Sequence, residues 1–140
     1  MLLAMEIATE DDNVSGNGSK RKKLSKKQRQ RWSHYICALK NSLPTVYPVS
    51  VRTCDLADFG DATLVTKGRC KGFEIRISNR LSWHERVETL IHEFAHCLDW
   101  SHRHDADHAE HHDESWGVWY SKTYRSIQEC TERLPAVLLE

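Results

Sequence analysis

The sequence lacks two features that would assign it quickly to a class of protein: it has no closely paired cysteines and no long apolar run. Its cysteines are odd in number and widely spaced, at Cys37, Cys54, Cys70, Cys97 and Cys130. Such a set argues against a disulfide framework and against a zinc site built from thiolates. No stretch approaches the roughly 20 apolar residues that cross a bilayer, so we expect no membrane partner.

The first residues also lack the pattern of a secretory signal. The apolar run Met1–Met5 is interrupted by Glu6, and no basic residue precedes it. A signal peptide has a basic start and a longer apolar centre. We therefore expect a cytoplasmic protein with reduced thiols.

The chain also has no net charge, because 20 basic side chains balance 20 acidic ones. The charges are segregated, however: residues 1–19 contain acids and no Lys or Arg, whereas Lys20–Arg31 contains eight basic side chains and no acid. This basic segment offers contacts to the phosphates of DNA, and it is equally compatible with a solvated tail and helix face. DNA is therefore one partner to consider, beside a protein or peptide.

The chain divides into a polar lead-in and one domain. Residues 8–23 are polar and contain almost nothing to bury, which is typical of disorder. The remainder has the length of one domain with one core. We expect a disordered tail, acidic and then basic, over residues 1–24 and a single domain over residues 25–140.

The periodicity of apolar residues predicts an α+β fold. Helical spacing over residues 25–43 predicts an N-terminal amphipathic helix. Alternating apolar and polar side chains then predict a three-stranded, mostly antiparallel sheet, with strands at Val49–Thr53, Ala62–Thr66 and Phe73–Ile77.

Two further helices follow the sheet. The first opens at Ser82, where Glu85 three residues later completes a capping box. The second runs from Asp113 to a point before Pro135, and a histidine-rich loop joins the two.

The first of these helices carries the segment His92-Glu93-Phe94-Ala95-His96, an H-E-x-x-H motif. Residues i and i+4 lie one turn apart on the same helix face, so both imidazoles reach one zinc ion. Glu93 is rotated by about 100° from His92 and lies beside the metal, where a general base for a zinc-activated water belongs. The motif predicts a zinc-dependent hydrolase in which His92 and His96 bind the metal.

A chance match is the competing interpretation, since the chain has nine histidines and many glutamates. The context argues against chance. The motif lies in the middle of a helix with its own cap and apolar stripe, and seven of the nine histidines lie between His92 and His112.

A catalytic zinc usually has three protein ligands and one open position. His112, which directly precedes the last helix, is the preferred third ligand, because the loop is long enough to bring it back to the motif. His102 has the spacing of H-E-x-x-H-x-x-G-x-x-H, but Asp99 replaces the glycine. The alternatives left open are His102, His108, His111 and Glu114.

With these residues the chain resembles the SprT-like zinc metalloproteases, a zincin family. The likeness consists of the segment Leu90–His96, followed after a variable loop by His112 four residues before Trp116. The family has a cysteine zinc ribbon in many members, which this chain lacks, so the resemblance is to compact phage or bacterial forms. It implies a zincin-like fold, zinc bound by His92, His96 and His112, Glu93 as the catalytic base, and cleavage of peptide bonds.

Four other side chains are candidates for supporting roles. Tyr120 and Tyr124 could stabilise an oxyanion next to the metal. Asp99 and Asp113 could orient the imidazoles, and helix capping is an equally good explanation for Asp113. Two other functions stay open: a DNA-binding or partner-binding module in which zinc only fixes the fold, and a histidine-rich metal buffer.

Overall fold

A computed structural model describes residues 5–6, 20–103 and 112–139 of the chain. Within these ranges the protein is α+β, as the sequence predicts. Its described part contains three α-helices and a mixed sheet, and the second helix packs on the third and fourth strands. The predicted histidine-rich loop falls largely on residues 104–111, outside the described residues.

Helix α1 covers Lys26–Ser42 and agrees with the prediction for residues 25–43. Ser25 caps it: the Ser25 hydroxyl accepts from the backbone N–H of Gln28, and the Gln28 side chain accepts from the backbone N–H of Ser25. The predicted apolar stripe is buried, and it consists of Trp32, Tyr35, Ile36 and Leu39. Because these four side chains belong to the common buried core, the helix is anchored by burial rather than by propensity.

The sheet contains the three predicted strands and one short addition. They are β1 at Met5–Glu6, β2 at Val49–Cys54, β3 at Gly60–Lys67 and β4 at Cys70–Ser78. The spatial order is β1-β2-β4-β3. β3 and β4 form an antiparallel hairpin whose turn contains Gly68 at φ 62°, the left-handed conformation that glycine adopts easily.

The expectation of a mostly antiparallel sheet is wrong. β2 pairs with β4 in parallel, and β1 pairs with β2 in parallel, so only the β3–β4 pairing is antiparallel. The physical reason is burial. β4 carries the buried Phe73, Ile75 and Ile77 and takes the central place beside β2, whereas β3 contains no buried residue and lies at the edge.

Helix α2 covers Trp83–Arg103 and crosses the core. The predicted capping box at its start is confirmed: Glu85 N–H donates to the Ser82 hydroxyl, and the Glu85 carboxylate accepts from Ser82 N–H at 3.0 Å. Helix α3 covers Glu114–Arg133, and a short 3-10 helix follows at Ala136–Leu138.

A buried arginine fastens the segment before α1 to the rest of the fold. Arg86 on α2 is 1% exposed, and its guanidinium donates to the carbonyl oxygens of Leu81, Asn79 and Lys22. The backbone N–H of Lys22 also donates to Asn79 O at 2.8 Å. Ordered packing therefore begins at least two residues before Leu24, while the boundary between tail and domain stays a prediction.

Candidate metal centre

Helix α2 places His92 and His96 on one face, one turn apart. Their ring centroids are 5.0 Å apart. The His92 side chain is 36% exposed and His96 is 9% exposed, so the pair lies where the core meets the surface. Burial lowers the pKa of His92, which favours the neutral imidazole that a metal requires.

His112 joins this pair from the chain segment in front of α3. Its Nε2 atom lies 3.0 Å from His92 Nε2 and 3.1 Å from His96 Nε2. Asp113 caps α3 by accepting from Trp116 N–H at 3.2 Å, so the capping interpretation of Asp113 is confirmed. The cap fixes where α3 begins and, with it, the position of the preceding histidine.

Two polar contacts hold the start of α3 against the end of α2. Arg103 Nη1 donates to Asp113 Oδ2 at 2.6 Å, and the Ser115 hydroxyl donates to Asp99 Oδ1. Asp99 is 1% exposed and also lies 3.7 Å from Arg103 Nη1. Asp99, Arg103, Asp113 and Ser115 form a clamp that keeps His112 next to the motif.

The three imidazoles fit one metal ion. Three nitrogens bound to zinc at about 2.0 to 2.1 Å in tetrahedral geometry lie about 3.3 Å apart, close to the 3.0 and 3.1 Å between His112 Nε2 and the other two Nε2 atoms. An imidazole nitrogen without a hydrogen offers one lone pair, and such nitrogens are metal ligands. Three of them that point at one place can share a cation. His92, His96 and His112 could therefore hold a metal ion.

The other candidates for the third ligand are placed differently. His102 is exposed in the last turn of α2, and its ring stacks on Trp119 with centroids 4.4 Å apart. Glu114 is exposed on the first turn of α3. Within the described ranges neither belongs to the group that could hold a metal. His108 and His111 lie outside the described residues.

Glu93 lies beside the three histidines and is 9% exposed. Its Oε2 atom is 3.9 Å from His92 Nε2. Burial raises the pKa of Glu93 to about 7, and the negative charge of Asp61 adds to the effect. A carboxyl group of this kind exchanges a proton near neutral pH, as a general base must.

A cavity of about 400 Å³ opens beside His92 and Glu93. Gly60, at the start of β3, forms part of its wall because β3 packs closely on α2 there: a Cβ atom would lie 2.8 Å from Thr89 Cγ2. Tyr120 of α3 also lines the cavity, as the sequence hypothesis requires, whereas Tyr124 does not and is 45% exposed. Burial raises the pKa of Tyr120, which keeps its hydroxyl group protonated as a donor.

Three residues contribute to the site in ways that sequence reasoning did not predict, although Trp116 was part of the resemblance and Glu85 part of the capping box. Trp116 packs against all three histidine rings, with centroid distances of 4.6 to 5.5 Å. Glu85 and Glu88 line the cavity. Their spacing of seven and four residues before His92 indicates the same helix face, and this signal was present in the sequence.

The basic segment Lys20–Arg31 is only partly free to meet a partner. The Arg31 guanidinium lies 5.3 Å from the centre of the Trp83 ring and donates to the Tyr35 hydroxyl at 2.8 Å. Arg29 donates to Leu24 O at 2.8 Å. Lys20, Lys22, Lys23 and Lys26 are exposed, and contact with DNA stays a prediction.

No family profile, curated protein or solved structure matches the chain. Among the helices described, none is both long and apolar enough to cross a membrane.

Proposed function

We propose that this protein is a zinc-dependent metallopeptidase of the SprT-like, zincin type. The observation that carries the proposal is the convergence of the Nε2 atoms of His92, His96 and His112 with the buried carboxyl group of Glu93 beside them. Three imidazoles suit zinc among the common biological cations, and three protein ligands leave a fourth position for chemistry. The resemblance of the motif to SprT-like proteases supports a peptide bond as the target.

When bound, zinc supplies a Lewis acid that lowers the pKa of a water molecule to about 7 and polarises a carbonyl group. Glu93 takes the proton of the attacking water and delivers it to the leaving amine. Its burial, which raises the pKa of the carboxyl group in the metal-free chain, favours the protonated form that Glu93 takes between the two transfers. The hydroxyl group of Tyr120, on the cavity wall, donates a hydrogen bond to the carbonyl oxygen of the peptide bond.

Metal content tests the ligand set. Zinc measured by mass spectrometry after dialysis should be about one ion per chain in the wild-type protein and in His102→Ala. It should be lost from His92→Ala and His112→Ala. Several ions per chain, retained in these two variants, would instead indicate a histidine-rich metal buffer.

Activity tests the role of Glu93. Glu93→Gln should retain zinc and cleave unfolded casein at least about 100-fold more slowly than wild type, because a general base contributes about 10² to 10⁴ in rate. Equal cleavage by Glu93→Gln would overturn the proposal. Zinc binding without cleavage by the wild-type protein would leave a module in which the metal only fixes the fold.

A further inference from the structure

Carboxyl groups line the cavity beside the candidate metal centre. It is bounded by residues of α2, α3 and the start of β3, namely Phe59, Gly60, Glu85, Glu88, Thr89, His92, Glu93 and Tyr120. Three of these eight residues are glutamates, and none of them is Lys or Arg. Since the whole chain has no net charge, this concentration of one sign is local to the cavity.

The carboxylates form a row that leads to the metal ligands. Glu85, Glu88 and His92 follow one another at spacings of three and four residues on α2, so they share a face of the helix. At about 1.5 Å of rise per residue, Glu88 lies about 6 Å and Glu85 about 10 Å from His92 along the axis. A peptide extended along α2 would advance about 3.3 Å per residue, so these groups would meet its side chains two to three residues from the bond that is cut.

Glu88 is the group in this row that is available to a ligand. Its ion-pair partner in the described part of the chain is His84, at 3.6 Å, and the side chains of the two are 56% and 82% exposed. Glu85 already accepts from the N–H and hydroxyl of Ser82 through one oxygen, and these bonds lower its pKa and keep it ionised. The row therefore presents negative charge to the cavity.

Two aromatic rings line the same cavity as the carboxylates. Phe59 is 59% exposed at the cavity, and Tyr120 lines the same space. Lys and Arg side chains combine an alkyl stem, which packs on aromatic surface, with a cation that is attracted to a ring face and to carboxylates. The two kinds of wall together match this class of side chain.

We infer that this acidic cleft binds a lysine or arginine side chain of the substrate and that Glu88 is a specificity-determining residue. The inference rests on the proposed peptidase function and names its substrate class: unfolded, basic protein segments. An acidic segment is disfavoured because its carboxylates meet Glu85 and Glu88 at short range.

Two quenched fluorescent peptides of equal length test the selectivity. They share one sequence in which lysine in the first is replaced by norleucine in the second, which removes the ammonium group and keeps the alkyl stem. Wild type should cleave the lysine peptide with the higher kcat/KM, and the advantage should shrink as salt is added. In Glu88→Gln the ratio of the two kcat/KM values should fall about two- to fivefold, the range of a partly exposed ion pair. Glu88→Lys should reverse the preference.

Glu132→Gln is the matched control. Glu132 is exposed on α3, twelve residues and about 18 Å along the helix from Tyr120, so its loss should leave the ratio unchanged. Equal kcat/KM for both peptides in wild type, or an unchanged ratio in both Glu88 variants, would overturn the inference while the proposed function stands. No cleavage of either peptide would overturn the proposed function and this inference with it.

Binding gives a second readout that does not depend on turnover. Zinc-loaded Glu93→Gln should bind a fluorescein-labelled lysine peptide more tightly than the norleucine peptide, measured by anisotropy. The Glu88→Gln, Glu93→Gln double variant should lose that difference. Equal binding of the two peptides by Glu93→Gln would contradict the inference independently of the rate measurements.

Discussion

Replacing Glu93 by glutamine should stabilise the metal-free protein at neutral and alkaline pH. Burial raises the pKa of Glu93 from its ordinary 4.5 in an exposed carboxyl group to about 7 in the folded chain. The unfolded chain exposes the carboxyl group and restores the lower value. Ionised Glu93 is therefore less stable in the folded state than in the unfolded state, and glutamine removes this conflict while it keeps the shape of the side chain.

The sign and size follow from linkage. Between pH 4.5 and about 7 the folded chain binds the proton and the unfolded chain does not, so the free energy of unfolding falls as the pH rises. Below this window both states are protonated and the penalty vanishes. Above it the penalty is constant at about 3 kcal/mol, which is the pKa difference multiplied by about 1.36 kcal/mol per pKa unit.

Urea denaturation of the chelator-treated protein between pH 5 and pH 8 measures the effect. The difference in free energy of unfolding between Glu93→Gln and wild type should be small at pH 5 and approach about 3 kcal/mol at pH 8. Contributions from His92 are common to both proteins and largely cancel in the difference. Glu132→Gln, at an exposed position, should show no such rise. A flat difference curve for Glu93→Gln would refute the claim that this carboxyl group is desolvated.

Two further predictions concern packing next to the site. Gly60→Ala should destabilise the fold, because a Cβ atom there would lie 2.5 Å from Arg76 O and 2.8 Å from Thr89 Cγ2. Gly117→Ala has no atom within 4 Å of the new Cβ atom and should stabilise α3 by about 0.5 to 1 kcal/mol. Thermal melting compares the two variants, and equal shifts of the melting temperature would contradict the packing argument. Arg86→Lys should lower the free energy of unfolding, measured by urea titration, by about 3 kcal/mol. The reason is that one ammonium group cannot replace a buried guanidinium group that donates to three carbonyl oxygens. A loss below about 1 kcal/mol would show that these hydrogen bonds contribute little.

Local sequence signals were sufficient for the helices and for part of the site. The capping box at Ser82 and the spacing of His92 and His96 are encoded within single turns, so they could be predicted without knowledge of the tertiary fold. The parallel pairing of β2 and β4 could not be predicted from local signals. Alternation reveals which face of a strand is buried but not its neighbour, and here the more apolar β4 displaces β3 from the position beside β2.

The position of His112 depends on contacts between distant residues. The sequence favoured His112 as the third ligand because it precedes a helix. His102 was an alternative, since it has the spacing of the last histidine in H-E-x-x-H-x-x-G-x-x-H. The decision between them follows from the stacking of His102 on Trp119 and from the contact of Ser115 with Asp99, neither of which a local pattern encodes. The sequence shows that Glu85 and Glu88 share a helix face with His92. It does not show that they line a cavity, because residues at the start of β3 and on α3 form the other walls.

The three histidines differ in how firmly the protein holds them, and this difference links metal binding to the docking of α3. His92 and His96 lie on one continuous helix whose other face is core, so their spacing is set by the helix itself. His112 is held by the cap at Asp113 and by the clamp to Asp99. A metal ion that needs all three therefore binds only the arrangement in which α3 is docked on α2, and it stabilises that arrangement in return. The clamp holds His112 next to His92 and His96 beforehand, so a metal ion bound by all three would spend less of its binding free energy on bringing the two helices together.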